Sequence, residues 1–227
     1  MKINDQRTLV ATADGSNTIF DTLTGEHYHS RHGAIGESRH VFLGMGLQHV
    51  LDSHPTKSHV TLVEVGFGTG LNFLISAEYC NAKGINLDYH GVEAYPLELE
   101  MVANLGYNRH IPDQLWNEFL KNYPQAFHTS IPLNEHSTFR VYHQQVLDFM
   151  PPKADIVYFD AFSATHQPEM WSDAVLKYVA DLMNPGGIFV TYSITGALKR
   201  SMQNLGFSIE KLPGAPGKRE MLRAVKG

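Results

Sequence analysis

The chain has 227 residues, a formal net charge of −5, 43% hydrophobic residues and 18% charged residues. That composition excludes a globally disordered chain, and the charge excludes a uniformly basic nucleic-acid binder. The lone Cys80 excludes a disulfide framework and a cysteine-based zinc cluster, and no run of about 18 apolar residues is available to span a bilayer. The start carries no apolar core of signal-peptide length, so the expectation is a soluble cytoplasmic protein with no membrane partner.

Residues 1–58 read as an extension of short strands and glycine-punctuated turns, with a helix over 37–51. No proline- and serine-rich linker follows, so the extension is expected to pack on a main domain over 59–227. That domain opens with an apolar strand at 60–65, a glycine turn at 66–70 and a helix at 71–82. A strand at 87–92 ends in Glu93. A helical insertion at about 96–137 precedes a strand at 139–143. The next strand, 156–159, ends in Asp160. A helix at 172–183 is broken by Pro185-Gly186-Gly187, and a strand at 188–192 leads to a helix at 195–204. Strands at 207–212 and 221–225 close the chain. Strands alternating with helices imply a mostly parallel sheet covered on both faces. About eight residues separate the last two strands, too few for a crossover, so they are expected to form an antiparallel hairpin.

Glu64-Val65-Gly66-Phe67-Gly68-Thr69-Gly70 follows a strand and opens a helix. Glycines there permit a sharp turn and close approach of a ligand to the main chain. The spacing G-x-G-x-G resembles motif I of class I S-adenosylmethionine-dependent methyltransferases, with Glu64 as the usual preceding acid. Glu93 lies where a carboxylate can accept hydrogen bonds from the two hydroxyls of a ribose. After the third strand Gln145, followed by Val146, stands where that class usually has an acid facing the adenine amine. An amide oxygen can accept there too. Asp160 falls at the carboxyl end of the fourth strand, facing the ligand crevice of such sheets. There it can orient an amine and take its proton. A glycine turn without ligand and a helix-capping Asp160 are the plain alternatives. Phe162, Trp171 and Tyr192 lie near strand ends, each as fit for the core as for stacking on a base. His27, His29 and His32 lack a completing ligand at metal-site spacing, so no metal is expected.

The longer pattern resembles the MnmC-type tRNA 5-(aminomethyl)-2-thiouridylate methyltransferase domain family. The resemblance rests on Gly66-Phe67-Gly68-Thr69-Gly70-Leu71-Asn72-Phe73-Leu74, on Glu37-Ser38-Arg39-His40-Val41-Phe42-Leu43, and on Phe159-Asp160-Ala161-Phe162-Ser163-Ala164 followed by Gln167-Pro168-Glu169-Met170-Trp171. Pro185-Gly186-Gly187 and Gly217-Lys218-Arg219-Glu220-Met221-Leu222 complete it. Ala161 departs from the family's glycine, and Ser163-Ala164 from its Ala-Pro.

The resemblance implies a Rossmann-like α/β class I methyltransferase with a mostly parallel seven-stranded sheet, an antiparallel C-terminal hairpin and an N-terminal extension. It implies S-adenosyl-L-methionine as cofactor, held by Glu64, Gly66, Phe67, Gly68, Gly70, Asn72, Glu93, Gln145, Val146 and Asp160, with no flavin because the fused oxidase domain is not expected. It implies Asp160 as the catalytic carboxylate. The acceptor would be 5-aminomethyl-2-thiouridine at the wobble position of the tRNA anticodon stem-loop. Phe162, Lys218 and Arg219 would contact RNA or organise its pocket. From Lys199 onward seven basic residues face two acids, and the resemblance turns that stretch into a phosphate-binding surface. Oligomeric state is left open. The competing expectations are a class I transferase acting on a small amine, and a non-catalytic nucleoside- or RNA-binding module.

Overall fold

A sheet of apolar strands must be covered on both faces, and the order of strands and helices determines which face each helix covers. The structure, a computed structural model, describes residues 6–227. Strands β1 (Arg7–Ala11), β2 (Asn17–Asp21) and β3 (Glu26–His27) form a small antiparallel sheet. A helical run follows, from α1 (Ala34–Glu37) through a π-helical Ser38–Gln48 to α2 (His49–Ser53). The expected helix is present, but its middle is π-wound. Gly44 and Gly46 weaken the preference for an α turn there. Gly46 also has a packing role: a Cβ on it would lie 2.9 Å from the Tyr158 ring and 3.1 Å from Val190.

The main sheet has the order β10-β11-β9-β8-β4-β5-β7-β6. Its strands are β4 (His59–Val65), β5 (Asn86–Glu93), β6 (Ile131–Pro132), β7 (Ser137–His143), β8 (Ala154–Phe159), β9 (Met183–Thr191), β10 (Phe207–Pro213) and β11 (Glu220–Lys226). β9, β8, β4, β5 and β7 run parallel. β11 pairs antiparallel with both β9 and β10, as the short connection requires. The sheet thus holds the seven expected strands and an eighth, β6, two residues long on the edge beside β7. β9 starts at Met183 rather than at residue 188. Pro185-Gly186-Gly187 forms its irregular first part, and the register against β8 shifts between Ala154 and Ile156.

Strand side chains alternate between two cores. Leu62, Ile156, Tyr158 and Val190 pack under the π-helical run, α3 (Leu71–Lys83) and α5 (Asp113–Ala126), through Phe42, Phe73 and Phe119. Val63, Val157, Phe159 and Phe189 face α6 (Asp173–Asp181) and α7 (Gly196–Asn204), through Leu176 and Leu198. The insertion between β5 and β7 carries α4 (Leu99–Ala103), α5 and β6. Among the described residues no helix is long and apolar enough to cross a membrane.

Gly46→Leu should force the π-helical run away from Tyr158 and lower stability by about 1–3 kcal/mol. A drop in the midpoint of thermal unfolding checks it, and an unchanged midpoint contradicts the tight contact.

Candidate active site

The carboxyl ends of β4, β5 and β8 open on one edge of the sheet, where open α/β sheets hold ligands. After Val65 the chain turns at Gly66, whose φ is +87°, and a Cβ there would lie 2.5 Å from the Asp160 carbonyl oxygen. Only glycine lets the loop lie against the end of β8. The Asp160 amide donates to the Val65 carbonyl at 2.9 Å, and the Gly66 amide to the Val92 carbonyl at 3.0 Å. Three strand ends are thereby locked around one cavity of about 650 Å³.

Of the residues expected at the site, Gly66, Phe67, Gly68, Glu93, Gln145, Val146, Asp160 and Phe162 line this cavity. Glu93 accepts from the Gly68 amide at 3.0 Å and from the Tyr95 amide at 2.9 Å. A carboxylate has about four lone-pair positions, so two bonds leave capacity for a diol. That capacity, the glycine loop and the cavity volume fit a nucleoside cofactor of the S-adenosylmethionine type.

Glu64, Gly70 and Asn72 do not line the cavity. Glu64 is fully buried behind it. Asn72 was expected among the cofactor contacts, but its Nδ2 donates to Glu64 Oε1 and to Asp160 Oδ2, both at 2.8 Å. Both amide hydrogens are therefore engaged inside the protein. Tyr89 donates its hydroxyl to the other Glu64 oxygen at 2.8 Å. Burial, then the Asp160 charge, raises the Glu64 pKa well above the carboxylate range, against the Asn72 and Tyr89 hydrogen bonds. Burial, followed by the charge of Glu37, pushes Asp160 up to about 8, while the Asn72 amide and the Lys218 ammonium pull it back.

Lys218 does not reach the cavity lining either. Its ammonium pairs with Glu37 at 3.1 Å and sits 3.5 Å from the centre of the Tyr192 ring. Tyr192 in turn donates to the Ala161 carbonyl at 2.9 Å, next to Asp160. Lys218 thus braces the loop after β8. Arg219 is exposed in the turn between β10 and β11. Trp171 donates its indole N–H to the Phe162 carbonyl at 2.8 Å and packs on Phe159.

Several site residues escaped the sequence reading because the N-terminal sheet supplies them. Arg7, Asp21 and Tyr28 line the same cavity. Tyr28 meets Phe162 edge-on at 5.2 Å. His29 is buried, with Nε2 2.7 Å from the Thr69 hydroxyl, and burial lowers its pKa to about 4. Glu26 accepts from the Ser163 amide at 2.8 Å and lies 3.1 Å from His166 Nδ1. Of the three histidines at 27, 29 and 32, His29 is thus tied to Thr69 and His27 lies against Phe20. Among the described residues no group of three or more histidine, cysteine or acidic side chains could hold a metal ion.

The sequence profile of a family described as S-adenosyl-L-methionine-dependent methyltransferase matches residues 109–227. The chain belongs to that family. The methyltransferase is 33% identical over 213 residues to the tRNA 5-methylaminomethyl-2-thiouridine biosynthesis bifunctional protein MnmC of Campylobacter hominis, covering 91% of this chain and 31% of that protein. It is 32% identical over 229 residues to the Burkholderia thailandensis protein of the same name, covering 95% of this chain and 34% of that one. It thus spans about a third of the length of these relatives. In fold it is similar to MnmC2 from Aquifex aeolicus, with a TM-score of 0.78 at 23% identity, over 96% of this chain and 70% of that one. The sheet and its C-terminal hairpin are thus those of a class I methyltransferase, and the cofactor of the family is S-adenosyl-L-methionine.

The folded methyltransferase holds Asp160 above the ordinary value of 3.8, so its stability falls as pH rises from there through about 8. An Asp160→Asn variant does not titrate. Its melting temperature relative to wild type should be higher at about pH 9 than at about pH 5. Parallel pH profiles in thermal denaturation would contradict the burial of this charge.

Proposed function

We propose that this chain methylates the amine of 5-aminomethyl-2-thiouridine at the tRNA wobble position, giving 5-methylaminomethyl-2-thiouridine. One observation carries the proposal: a carboxylate, Asp160, stands in the cavity beside the glycine loop with one oxygen fixed by Asn72. The printed names of the relatives supply the acceptor. On this reading the working partner is the anticodon stem-loop, and the reaction belongs in the cytoplasm with its tRNA.

S-adenosylmethionine, when bound, supplies a methyl group on a cationic sulfur. Glu93 would hold its ribose hydroxyls, and Gln145 with Val146 would border its adenine. Residues 59–227 form the cofactor-holding unit in this reading, and the preceding extension forms the acceptor wall through Tyr28. An alkyl amine with a pKa of about 10 is mostly protonated at neutral pH and has no lone pair to offer. Asp160 accepts a hydrogen bond from that nitrogen, orients it and takes its proton. Burial favours the protonated form of Asp160, whereas a cationic sulfur and an ammonium beside it would favour the carboxylate form that can take the proton. Asn72 keeps one Asp160 oxygen occupied and leaves the other for the amine. Tyr28 and Phe162 offer the aromatic wall against which a nucleobase can stack.

Two variants separate chemistry from cofactor binding. Asp160→Asn should lower kcat on under-modified tRNA by about 10²–10⁴-fold while retaining cofactor affinity. Glu93→Ala should instead weaken cofactor binding at least tenfold, about 1.4 kcal/mol. Calorimetry with the cofactor and nucleoside analysis of digested tRNA provide the two readouts. Full turnover by the Asp160 variant would remove its proposed role, and an unmethylated tRNA with wild-type protein would remove the proposed acceptor.

A further inference from the structure

The seven cations after residue 198 look alike in sequence, and the structure divides them. Lys218 pairs with Glu37. Arg223 pairs with Glu210 at 2.5 Å and donates to the Met45 carbonyl. Lys226 donates to the carbonyls of Ala180 and Met183. These three hold the fold together. Lys199, Arg200 and Lys211 instead line one separate cavity of about 370 Å³ between α7 and β10. Among the described residues none of the three makes an ion pair or a side-chain hydrogen bond. Nearby acids are engaged elsewhere: Glu210 on Arg223, and Asp173 on the Ser201 hydroxyl at 2.6 Å.

The topology brings one end of this cationic groove to the edge that carries Asp160. β9 runs parallel to β8, so α7 begins at that edge. β10 is antiparallel to β11, which is antiparallel to β9, so β10 ends there too, with Lys211 near its end. Ile209 and Lys211 alternate onto the face that α7 covers. Asp160 ends β8, and β10 lies three strand positions away in the sheet order, a lateral separation of about 14 Å at about 4.8 Å per strand.

We propose that this groove docks the phosphodiester backbone of the RNA whose base enters the cavity. The inference rests on the tRNA reading above. A protein of net charge −5 repels a polyanion at long range, so productive approach needs a local cationic surface on the active edge. Lysine and arginine contacts to phosphate supply most of the sequence-independent affinity for nucleic acid. Exposed Arg219, in the turn at the same edge, extends the path between groove and cavity. The groove fixes where the backbone lies, and the cavity selects the base.

The test compares wild type with a triple variant, Lys199→Gln, Arg200→Gln and Lys211→Gln, in the full chain. Lys83→Gln, at the opposite edge where α3 ends, is the control. Binding of an unmodified tRNA transcript is followed by fluorescence anisotropy across a salt series, methyl transfer to under-modified tRNA is assayed separately, and cofactor affinity reports folding. The triple variant should bind the transcript at least tenfold more weakly. Its log–log salt slope should shrink by about 2–3. KM for tRNA should rise, with kcat and cofactor affinity retained, and the control should match wild type. A triple variant with wild-type affinity and salt slope overturns the groove proposal even if tRNA is methylated. RNA binding lost in the triple variant but no methylation by wild type upholds the groove and overturns the acceptor. No transcript binding by wild type overturns the groove, and the methyl-transfer assay decides the acceptor on its own.

Discussion

The Asn72 side chain holds together what the rest of the site depends on. Its amide ties Glu64 at the end region of β4 to Asp160 after β8, from the first turn of α3. Two carboxyl groups close together, Glu64 fully buried and Asp160 half-buried at the cavity, repel each other and resist ionisation. The amide between them donates to both, and Tyr89 donates to Glu64 from the neighbouring β5. Three adjacent strands and the helix after the glycine loop are thereby joined through one polar chain. The Asn72 amide is held through its two donated bonds, while its Oδ1 is buried without a partner among the described residues, and the two bonds are what fix the Asp160 carboxyl.

A second layer of support comes from regions remote in sequence. Glu37 and Lys218 are separated by 181 positions, yet they pair beside Tyr192 and act on Asp160 from behind. Glu26 anchors the loop after β8 through Ser163. His29 and Thr69 join the extension to the glycine loop. The N-terminal sheet is therefore part of the pocket and not an appendage to it.

How much of this could be read from sequence follows from how local each signal is. The parallel strands are runs such as Val60–Val65, where apolar side chains fill both faces, and two of them lead into a residue with a functional look, Glu93 and Asp160. The hairpin followed from connection length alone. β6 escaped because two residues carry no period, and the start of β9 escaped because Pro185-Gly186-Gly187 reads as a breaker although a bulge accommodates it. Glu93, Gln145 and Asp160 sit at strand ends and could be placed by counting. Tyr28 and Glu37 could not, since tertiary packing alone brings them to the cavity or behind it. Asn72 was legible as important but not in its direction, because helix position does not say which way a short amide turns. For the cations, sequence gives charge, and only the folded partners show which charges are already neutralised.

Trp171 ties its indole to the backbone of Phe162, on the wall of the cavity, while its ring rests on Phe159 in the core. The chain has two tryptophans, and the other, Trp116, is buried against Phe119 in the opposite layer. The protein therefore carries its own optical probe at the acceptor wall, with the second indole shielded as a constant background. Any rearrangement of the Phe162 loop alters the environment of a single emitter, so occupancy of this wall is open to observation without attaching a dye.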